Sequence, residues 1–290
     1  MPILIPPDLR VRLRSLRFDG RFRARERGVG QHAGRSLGAG LEFEQYRAYE
    51  PGDEPRRVDW KLYARSDRFF VRDATRESPL TVWVLLDATA SMAQSDRARP
   101  DYTKLDAAKL MIACLGDIAA NHGDAFGVIA LGGESLRHVP AGSGARHRDR
   151  LLQSVERLTC GGEWPAPARL RPLWEQVGAD AVVVAISDGF EAGVAQLAAR
   201  LSAARRQVRF LGLVSAEERD FPFTGGFTFR DPETGRELGV DGDRIRDEFL
   251  ARFQASRAAL GRELAASGVL HVDHCLDEAP DVALRRLLQS

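Results

Sequence analysis

The sequence has few cysteines and no long apolar run. Its three cysteines, Cys114, Cys160 and Cys275, are odd in number and far apart, which argues against a disulfide framework. No apolar run approaches the roughly 20 residues that a membrane-spanning helix needs, and the N-terminus lacks the apolar core of a signal peptide. We therefore expect a cytoplasmic protein without a transmembrane segment.

The motifs of several enzyme classes are also missing from the sequence. It contains no P-loop, no dinucleotide-binding fingerprint, no serine nucleophile elbow and no paired catalytic cysteine and histidine. The formal net charge of +1 gives the whole molecule no strong field that would attract nucleic acid or anionic lipid. These absences favour a binding protein over an enzyme.

From Thr81 onward, continuous apolar runs alternate with amphipathic segments. This alternation is typical of parallel strands covered by helices on both faces. Between the last two strands we expect an irregular stretch from Ser215 to Gly242 and a long helix from about Arg244 to Ser267. The fold class predicted for residues 79–290 is α/β, an open and mostly parallel sheet. Its strands are TVWVLL, FGVIAL, AVVVAIS, VRFLGLV and VLHVDHC, with LRHVP paired as a hairpin to the second.

Residues 1–78 have a different composition and are interpreted as an N-terminal extension rich in glycine, arginine and aromatic residues. Arginine recurs between positions 10 and 27, and such a series could follow a phosphate backbone. The interleaved apolar residues favour a segment that buries one face, and nucleic-acid binding by this segment stays an alternative function. The apolar residues are Val11, Leu13, Leu16 and Phe18.

Oxygen-bearing side chains follow two of the predicted strands. Asp87, Thr89 and Ser91 stand at every second position after the first strand, and Asp188 follows AVVVAIS. In an open parallel sheet the binding crevice lies at the carboxyl ends of the strands, so these side chains are expected at one edge. Carboxylates and hydroxyls without histidine or thiolate suit Mg²⁺, Mn²⁺ or Ca²⁺.

Two other roles, one structural and one catalytic, are compatible with the Asp87 segment. Asp, Thr and Ser are all good helix N-caps, so the motif could simply cap the next helix. A metal-dependent phosphoester hydrolase could also use Asp87 and Asp188. The metal-site hypothesis instead leaves one coordination position open for an acidic side chain of another protein, which would make the edge a docking point.

The segments DATAS and SDG resemble the metal-ion-dependent adhesion site of von Willebrand factor A domains. Thr89 stands where serine is commoner in that family, and it keeps the hydroxyl. The family adds a threonine from a third loop, often after a glycine pair. Here Gly161 and Gly162 are followed by Glu163, which is therefore a candidate ligand in place of the threonine.

The extension resembles the signature of the domain-of-unknown-function 58 family of bacterial von Willebrand factor A-like proteins. The resemblance implies association with a MoxR-type AAA+ ATPase, in an adaptor or co-chaperone role toward an unknown client. The signature itself is interpreted either as a purely structural strap or as a surface for a partner. Its matching positions include His32, Gly38, Gly40, Glu42, Phe43, Arg47, Tyr49, Gly52, Asp53, Arg56, Asp59, Trp60 and Arg65.

Overall fold

The chain divides into two compact units, one of residues 1–26 with 79–290 and the other of residues 27–78. The first part of the predicted extension therefore groups with the larger unit. The computed structural model describes residues 5–19, 45–49, 55–73, 79–132, 136–230 and 236–289. Seven signature positions lie outside the described residues, namely His32, Gly38, Gly40, Glu42, Phe43, Gly52 and Asp53.

The smaller unit contains two antiparallel strands and a short helix in its described part. Strands β1 (Gln45–Ala48) and β2 (Phe70–Asp73) pair with each other, and helix Trp60–Ser66 precedes β2. Arg47 lies in β1. The buried Asp59 accepts hydrogen bonds from the backbone N–H groups of Lys61 and Leu62 at 2.9 and 3.0 Å, so it is the N-cap of that helix.

The larger unit is built on a six-stranded sheet with the strand order β10-β7-β6-β3-β4-β5. All neighbouring strands are parallel except β5, which runs antiparallel to β4 at the edge. The predicted open and mostly parallel sheet, including its hairpin, is confirmed. The strands are β3 (Thr81–Asp87), β4 (Ala125–Leu131), β5 (Arg137–Gly142), β6 (Val182–Ser187), β7 (Gln207–Val214) and β10 (Leu270–Cys275).

Both faces of the sheet are buried, which explains why its strands are continuous apolar runs. Along β3, Val82, Val84 and Leu86 pack on one face, and Trp83 and Leu85 pack on the other. Helices cover both faces. The helices of the larger unit are α1 (Pro7–Leu13), α3 (Lys104–His122), α4 (Ala145–Glu156), α5 (Arg171–Gln176), α6 (Ala192–Ala203), α7 (Ala216–Asp220), α8 (Gly242–Ala266) and α9 (Pro280–Leu288), and helix Trp60–Ser66 of the smaller unit is α2.

Strand β3 lies at the point where the winding of the sheet reverses. The chain moves outward through β4 and β5 on one side of β3, and through β6, β7 and β10 on the other. The carboxyl ends of the two strands that flank such a switch point open a crevice. Asp87 is the last residue of β3, and Asp188 directly follows β6, so the fold brings both carboxylates to that crevice.

Helix α1 and the residues after it pack against the core. Leu13, Leu16 and Phe18 are buried, as the one-sided pattern predicts, and Leu9 is buried as well. The prediction was wrong for Val11, whose side chain is 61% exposed. In a helix, residues 9 and 13 share a face and residue 11 points the opposite way.

The stretch from Ser215 to Gly242 is more regular than predicted. It contains α7 and an antiparallel hairpin of β8 (Gly226–Arg230) and β9 (Glu237–Asp241). Phe227 and Phe229 alternate with small or polar residues in β8, which is the two-residue period of a strand with one apolar face. Sequence analysis missed that period because glycine and polar residues separate the short apolar segments of the hairpin.

No helix in the described part of the chain is both long and apolar enough to cross a membrane.

The buried side chain of His274 on β10 makes the larger unit sensitive to acid. Burial lowers the pKa of His274 to about 4, and its Nδ1 has no hydrogen-bond partner among the described residues. Because protonation favours the unfolded chain, stability is expected to fall as the pH drops from about 6.5 toward 4, by up to about 3 kcal/mol. Urea denaturation of His274→Leu at pH 7.5 and 4.5 is expected to show a smaller acid-induced loss than the wild type.

The exposed His138→Leu is the matched control for removing a histidine. An acid-induced loss of the same size in His274→Leu and the wild type would contradict this account.

Candidate functional site

Asp87 is the centre of a buried hydrogen-bond network. Its Oδ1 accepts hydrogen bonds from the backbone N–H and the hydroxyl of Thr89 at 3.0 and 2.7 Å. Its Oδ2 accepts from the hydroxyl of Ser187 at 2.6 Å. The hydroxyl oxygens of Thr89 and Ser91 are 3.2 Å apart. The structure therefore brings Asp87, Thr89 and Ser91 together, as the spacing predicts.

The carboxyl of Asp87 has a raised pKa. Burial is the main cause of the rise to about 6, and the nearby charge of Asp188 adds to it. The hydrogen bonds from Ser187 and Thr89 act in the opposite direction. An ionised Asp87 is therefore a buried negative charge that its neighbours compensate only in part, and either a proton or a cation at this position would lower its energy.

Asp188 lies in a tight turn after β6. Its Oδ1 accepts a hydrogen bond from the backbone N–H of Phe190 at 3.2 Å, and its backbone oxygen accepts one from Arg257 at 2.6 Å. Gly189 between them has a φ of +79°, and a Cβ there would lie 2.6 Å from Leu260. The left-handed backbone therefore favours glycine at this position, and the side chains of Leu260 and Arg257 would have to move to admit a larger residue.

The side chain of Lys104 lies at the same edge and is fully buried. Its ammonium nitrogen is 3.3 Å from Asp188 Oδ2, 2.8 Å from Glu218 Oε1 and 3.0 Å from Gln94 Oε1. Sequence reasoning missed this residue. The available signal was its residue type, because lysine occurs only at positions 61, 104 and 109 in a chain that otherwise uses arginine.

Two neighbouring loops fix the backbone after Asp87. Ala88 donates a hydrogen bond to Leu131 and accepts one from Gly161, at 2.7 and 2.9 Å, and Ala90 donates to Gly162 at 3.2 Å. Gly161 and Gly162 thus lie beside the Asp87 loop, as the resemblance implies. Glu163 follows them with an exposed side chain, and its role as a metal ligand stays a prediction.

Gly132, at the end of β4, also supports the Asp87 loop and was missed by sequence reasoning. A Cβ at this position would lie 2.4 Å from the carbonyl carbon and oxygen of Ala88. Such a distance is too short for any side chain, so the loop can approach β4 only because residue 132 is glycine.

The capping alternative accounts for only part of the motif. Thr89 precedes a short 3₁₀ turn, Ala90–Ala93, but its side chain makes no capping hydrogen bond. Asp87 instead accepts from the N–H of Thr89, two residues on, as in an Asx turn. In the part of the chain that the structure describes, no three His, Cys, Asp or Glu side chains gather as a metal cluster. A cation at Asp87 would therefore depend on the hydroxyls of Thr89 and Ser91.

Two of the described signature residues, Tyr49 and Trp60, belong to a small aromatic cluster in the smaller unit. Tyr63 and Phe69 stack with ring centroids 4.4 Å apart, and Trp60 meets both rings edge-on. The ring centroids of Tyr49 and Phe69 are 6.2 Å apart. Trp60 is nevertheless 60% exposed, and Arg56 and Arg65 are exposed as well. The cluster fits a structural role, and its open side leaves the partner-surface hypothesis as a prediction.

Comparison with known proteins identifies a family and several distant likenesses. The model of the family described as "Protein of unknown function DUF58" matches residues 45–259. Uncharacterized proteins of Mycobacterium bovis and Mycobacterium tuberculosis are 27% identical over 272 residues, which cover 90% of this chain and 83% of theirs.

Solved structures with a partial likeness include an aerotolerance-related membrane protein from Bacteroides fragilis, with 22% identity and a TM-score of 0.44, covering 72% of this chain and 97% of that one. A von Willebrand factor type A structure from Catenulispora acidiphila has 18% identity and a TM-score of 0.36. It covers 64% of this chain and 44% of that one.

Removing the buried ammonium of Lys104 is expected to destabilise the larger unit strongly. Lys104→Met leaves Asp188 and Glu218 as buried carboxylates without their cation, at a cost of about 3–5 kcal/mol. The double variant Lys104→Met/Glu218→Gln removes one of those charges and is expected to cost less than the sum of the single variants. The free energies of unfolding of Lys104→Met, Glu218→Gln and the double variant are measured by urea denaturation at pH 7.5.

Lys109→Met on the same helix is the control. Lys109 is half-buried, and the hydrogen bond of its ammonium within the described part of the chain is to the carbonyl of Glu156 at 3.1 Å, so a loss of about 1 kcal/mol is expected. An equally small loss in Lys104→Met, or strict additivity in the double variant, would rule out a tightly coupled buried cluster.

Neutralising Asp87 is expected to stabilise the metal-free protein at neutral pH. The pKa of Asp87 is raised from 3.8 to about 6, so the folded state binds its proton more tightly than the unfolded chain does. Stability is therefore lost as the pH rises from about 4 through 6, by up to about 3 kcal/mol. In the presence of a chelator, Asp87→Asn is expected to unfold at higher urea concentration than the wild type at pH 7.5 but not at pH 4.

A variant that is less stable than the wild type at pH 7.5 would show that the ionised carboxylate is well compensated by its hydrogen bonds, contrary to this account.

Proposed function

The chain belongs to the DUF58 family, and from this premise we propose that it is a non-enzymatic protein-interaction module that docks its partner through a divalent cation. Asp87, Thr89, Ser91 and Asp188 would hold the cation, with Mg²⁺ favoured and Mn²⁺ or Ca²⁺ as alternatives. The observation that carries the proposal is the hydrogen-bonded group of Asp87, Thr89 and Ser91 oxygens at the carboxyl end of β3, with Asp188 directly after β6 near enough to raise the pKa of Asp87.

The donor set fits a hard cation. Carboxylate and hydroxyl oxygens are the ligands of Mg²⁺, which usually keeps several waters when few carboxylates bind it. The raised pKa of Asp87 also fits a cation site. Burial destabilises the ionised carboxylate, and a bound cation would compensate that charge as a proton does. A bound cation would supply one exchangeable position that a partner's carboxylate can occupy.

The residues of this chain would orient the site before the partner arrives. Thr89 donates a hydrogen bond to Oδ1 of Asp87 and Ser187 donates one to Oδ2, so the carboxylate is oriented at both oxygens. The ammonium of Lys104 orients the carboxylate of Asp188. A preorganised site loses less conformational entropy on binding.

The partner that we propose is a MoxR-type AAA+ ATPase, for which this chain would be an adaptor or co-chaperone toward a client protein in the cytoplasm. The support is the family membership, since DUF58 proteins resemble the von Willebrand factor A-like proteins that accompany these ATPases. The exposed acidic residue Glu163, beside Gly162, would either complete the cation's ligands or contact the partner directly.

Calorimetric titration of Mg²⁺ and Mn²⁺ into the chelator-stripped protein tests the cation site. The wild type is expected to bind, and Asp87→Ala is expected to lose at least about tenfold in affinity because it removes the central carboxylate. Asp149→Ala, which removes a carboxylate that is 62% exposed and outside the site, is the control and is expected to bind normally. A loss in Glu163→Ala would assign that residue as a ligand, and unchanged affinity would remove it from the set.

Absence of heat in the wild type at millimolar metal, or equal heat in Asp87→Ala, would overturn the cation site. The same variants can then be compared for metal-dependent co-sedimentation with a purified MoxR-type ATPase. Turnover of a phosphoester that Asp87→Ala abolishes would instead establish the hydrolase alternative.

A further inference from the structure

An aromatic groove lies between the β8–β9 hairpin and helix α8. Its cavity of about 590 Å³ falls in the range of roughly 300–1,000 Å³ that is usual for binding pockets. The wall is mainly apolar and includes Phe221, Phe229, Val240, Phe249 and Phe253. Most of the lining residues belong to the segments 217–229 and 238–256, which supply none of the ligands proposed above for the cation.

The groove and the Asp87 edge share a wall. Phe190, which lines the groove, is two residues after Asp188. Gln94 and Glu218 also line the groove, and both bond the ammonium of Lys104, which in turn contacts Asp188. A ligand that reached the Asp87 edge would therefore lie directly beside the opening of the groove.

The charges of the groove are paired within the protein. Glu218 pairs with Lys104 at 2.8 Å, Glu248 with Arg252 at 2.6 Å, and Glu217 with Arg97 at 3.8 Å. A charged side chain that entered would meet no unpaired counter-charge among the described lining residues and would lose part of its hydration, so the groove favours uncharged apolar groups. The adjoining edge, loaded with a divalent cation, selects a carboxylate. The two sites together are complementary to an acidic group next to an apolar one.

The groove is open to water at two of its large apolar side chains. Phe190 is 57% exposed and Leu238 is 65% exposed, and both line the groove. Exposed apolar surface of this kind marks a protein-binding site more often than a site for a small ligand, which would leave these side chains in water. The occupant that fits is therefore a polypeptide segment.

We infer that the groove is the docking site for a segment of the partner protein in which an acidic residue is close to one or two large apolar residues. The acidic residue would reach the Asp87 edge, and the apolar residues would fill the space between Phe229, Phe249 and Phe253. This inference rests on the proposed function for the acidic residue, but the groove can be tested by itself.

The test is selection of a random-peptide phage library on the immobilised full chain in Mg²⁺. Enriched peptides are synthesised, and their binding is measured by fluorescence anisotropy. The groove variant is Leu238→Ser/Phe253→Ser, which replaces side chains that are exposed or half-exposed and is checked for native thermal unfolding. The control is Val11→Ser, which removes an equally exposed apolar side chain outside the groove. Asp87→Ala and a chelator test the contribution of the cation.

The expected result is a set of peptides with acidic and large apolar residues, whose affinity falls about tenfold or more in the groove variant and is unchanged in Val11→Ser. If peptide affinity falls in the groove variant but not with Asp87→Ala or chelator, the groove is supported as a docking site and cation docking is overturned. If peptide affinity falls with Asp87→Ala and with chelator but not in the groove variant, cation docking is supported and the groove is overturned as a docking site. Selection that enriches no peptide would also overturn the groove.

Discussion

The buried ammonium group of Lys104 is the interaction on which the functional edge of the sheet depends. It joins three separate parts of the chain, because its contacts are Asp188 after β6, Glu218 in α7 and Gln94 after the Asp87 loop. A buried charge is tolerated only when its partners are in place, so these segments adopt their positions together. The ammonium therefore positions the walls of both the proposed cation site and the groove.

The pairing of Lys104 with Asp188 leaves Asp87 as the carboxylate at this edge that carries no cation of its own. Its three hydrogen bonds orient it, yet burial still raises its pKa to about 6. The fold thus maintains an oriented, incompletely compensated negative charge at the switch point of the sheet. This charge is the physical basis of the docking site proposed above, which a divalent cation and a partner's carboxylate would complete.

The fold was largely predictable from the sequence because strands buried on both faces are continuous apolar runs. The placement of Asp87 and Asp188 followed as well, since each stands where such a run ends. Lys104 and Glu218 could not be paired in advance, because 114 positions separate them and only the folded chain brings them together. Gly132 was missed for the same reason, since its requirement comes from the approach of Ala88.

The most direct test of this account is a crystal structure of the protein soaked in Mn²⁺, with the cation located by anomalous diffraction. The account predicts a peak within ligand distance of the side-chain oxygens of Asp87 and Ser91, with Lys104 still bonded to Glu218. Absence of a peak at this edge, or a peak only at other carboxylates such as Asp273, would contradict it.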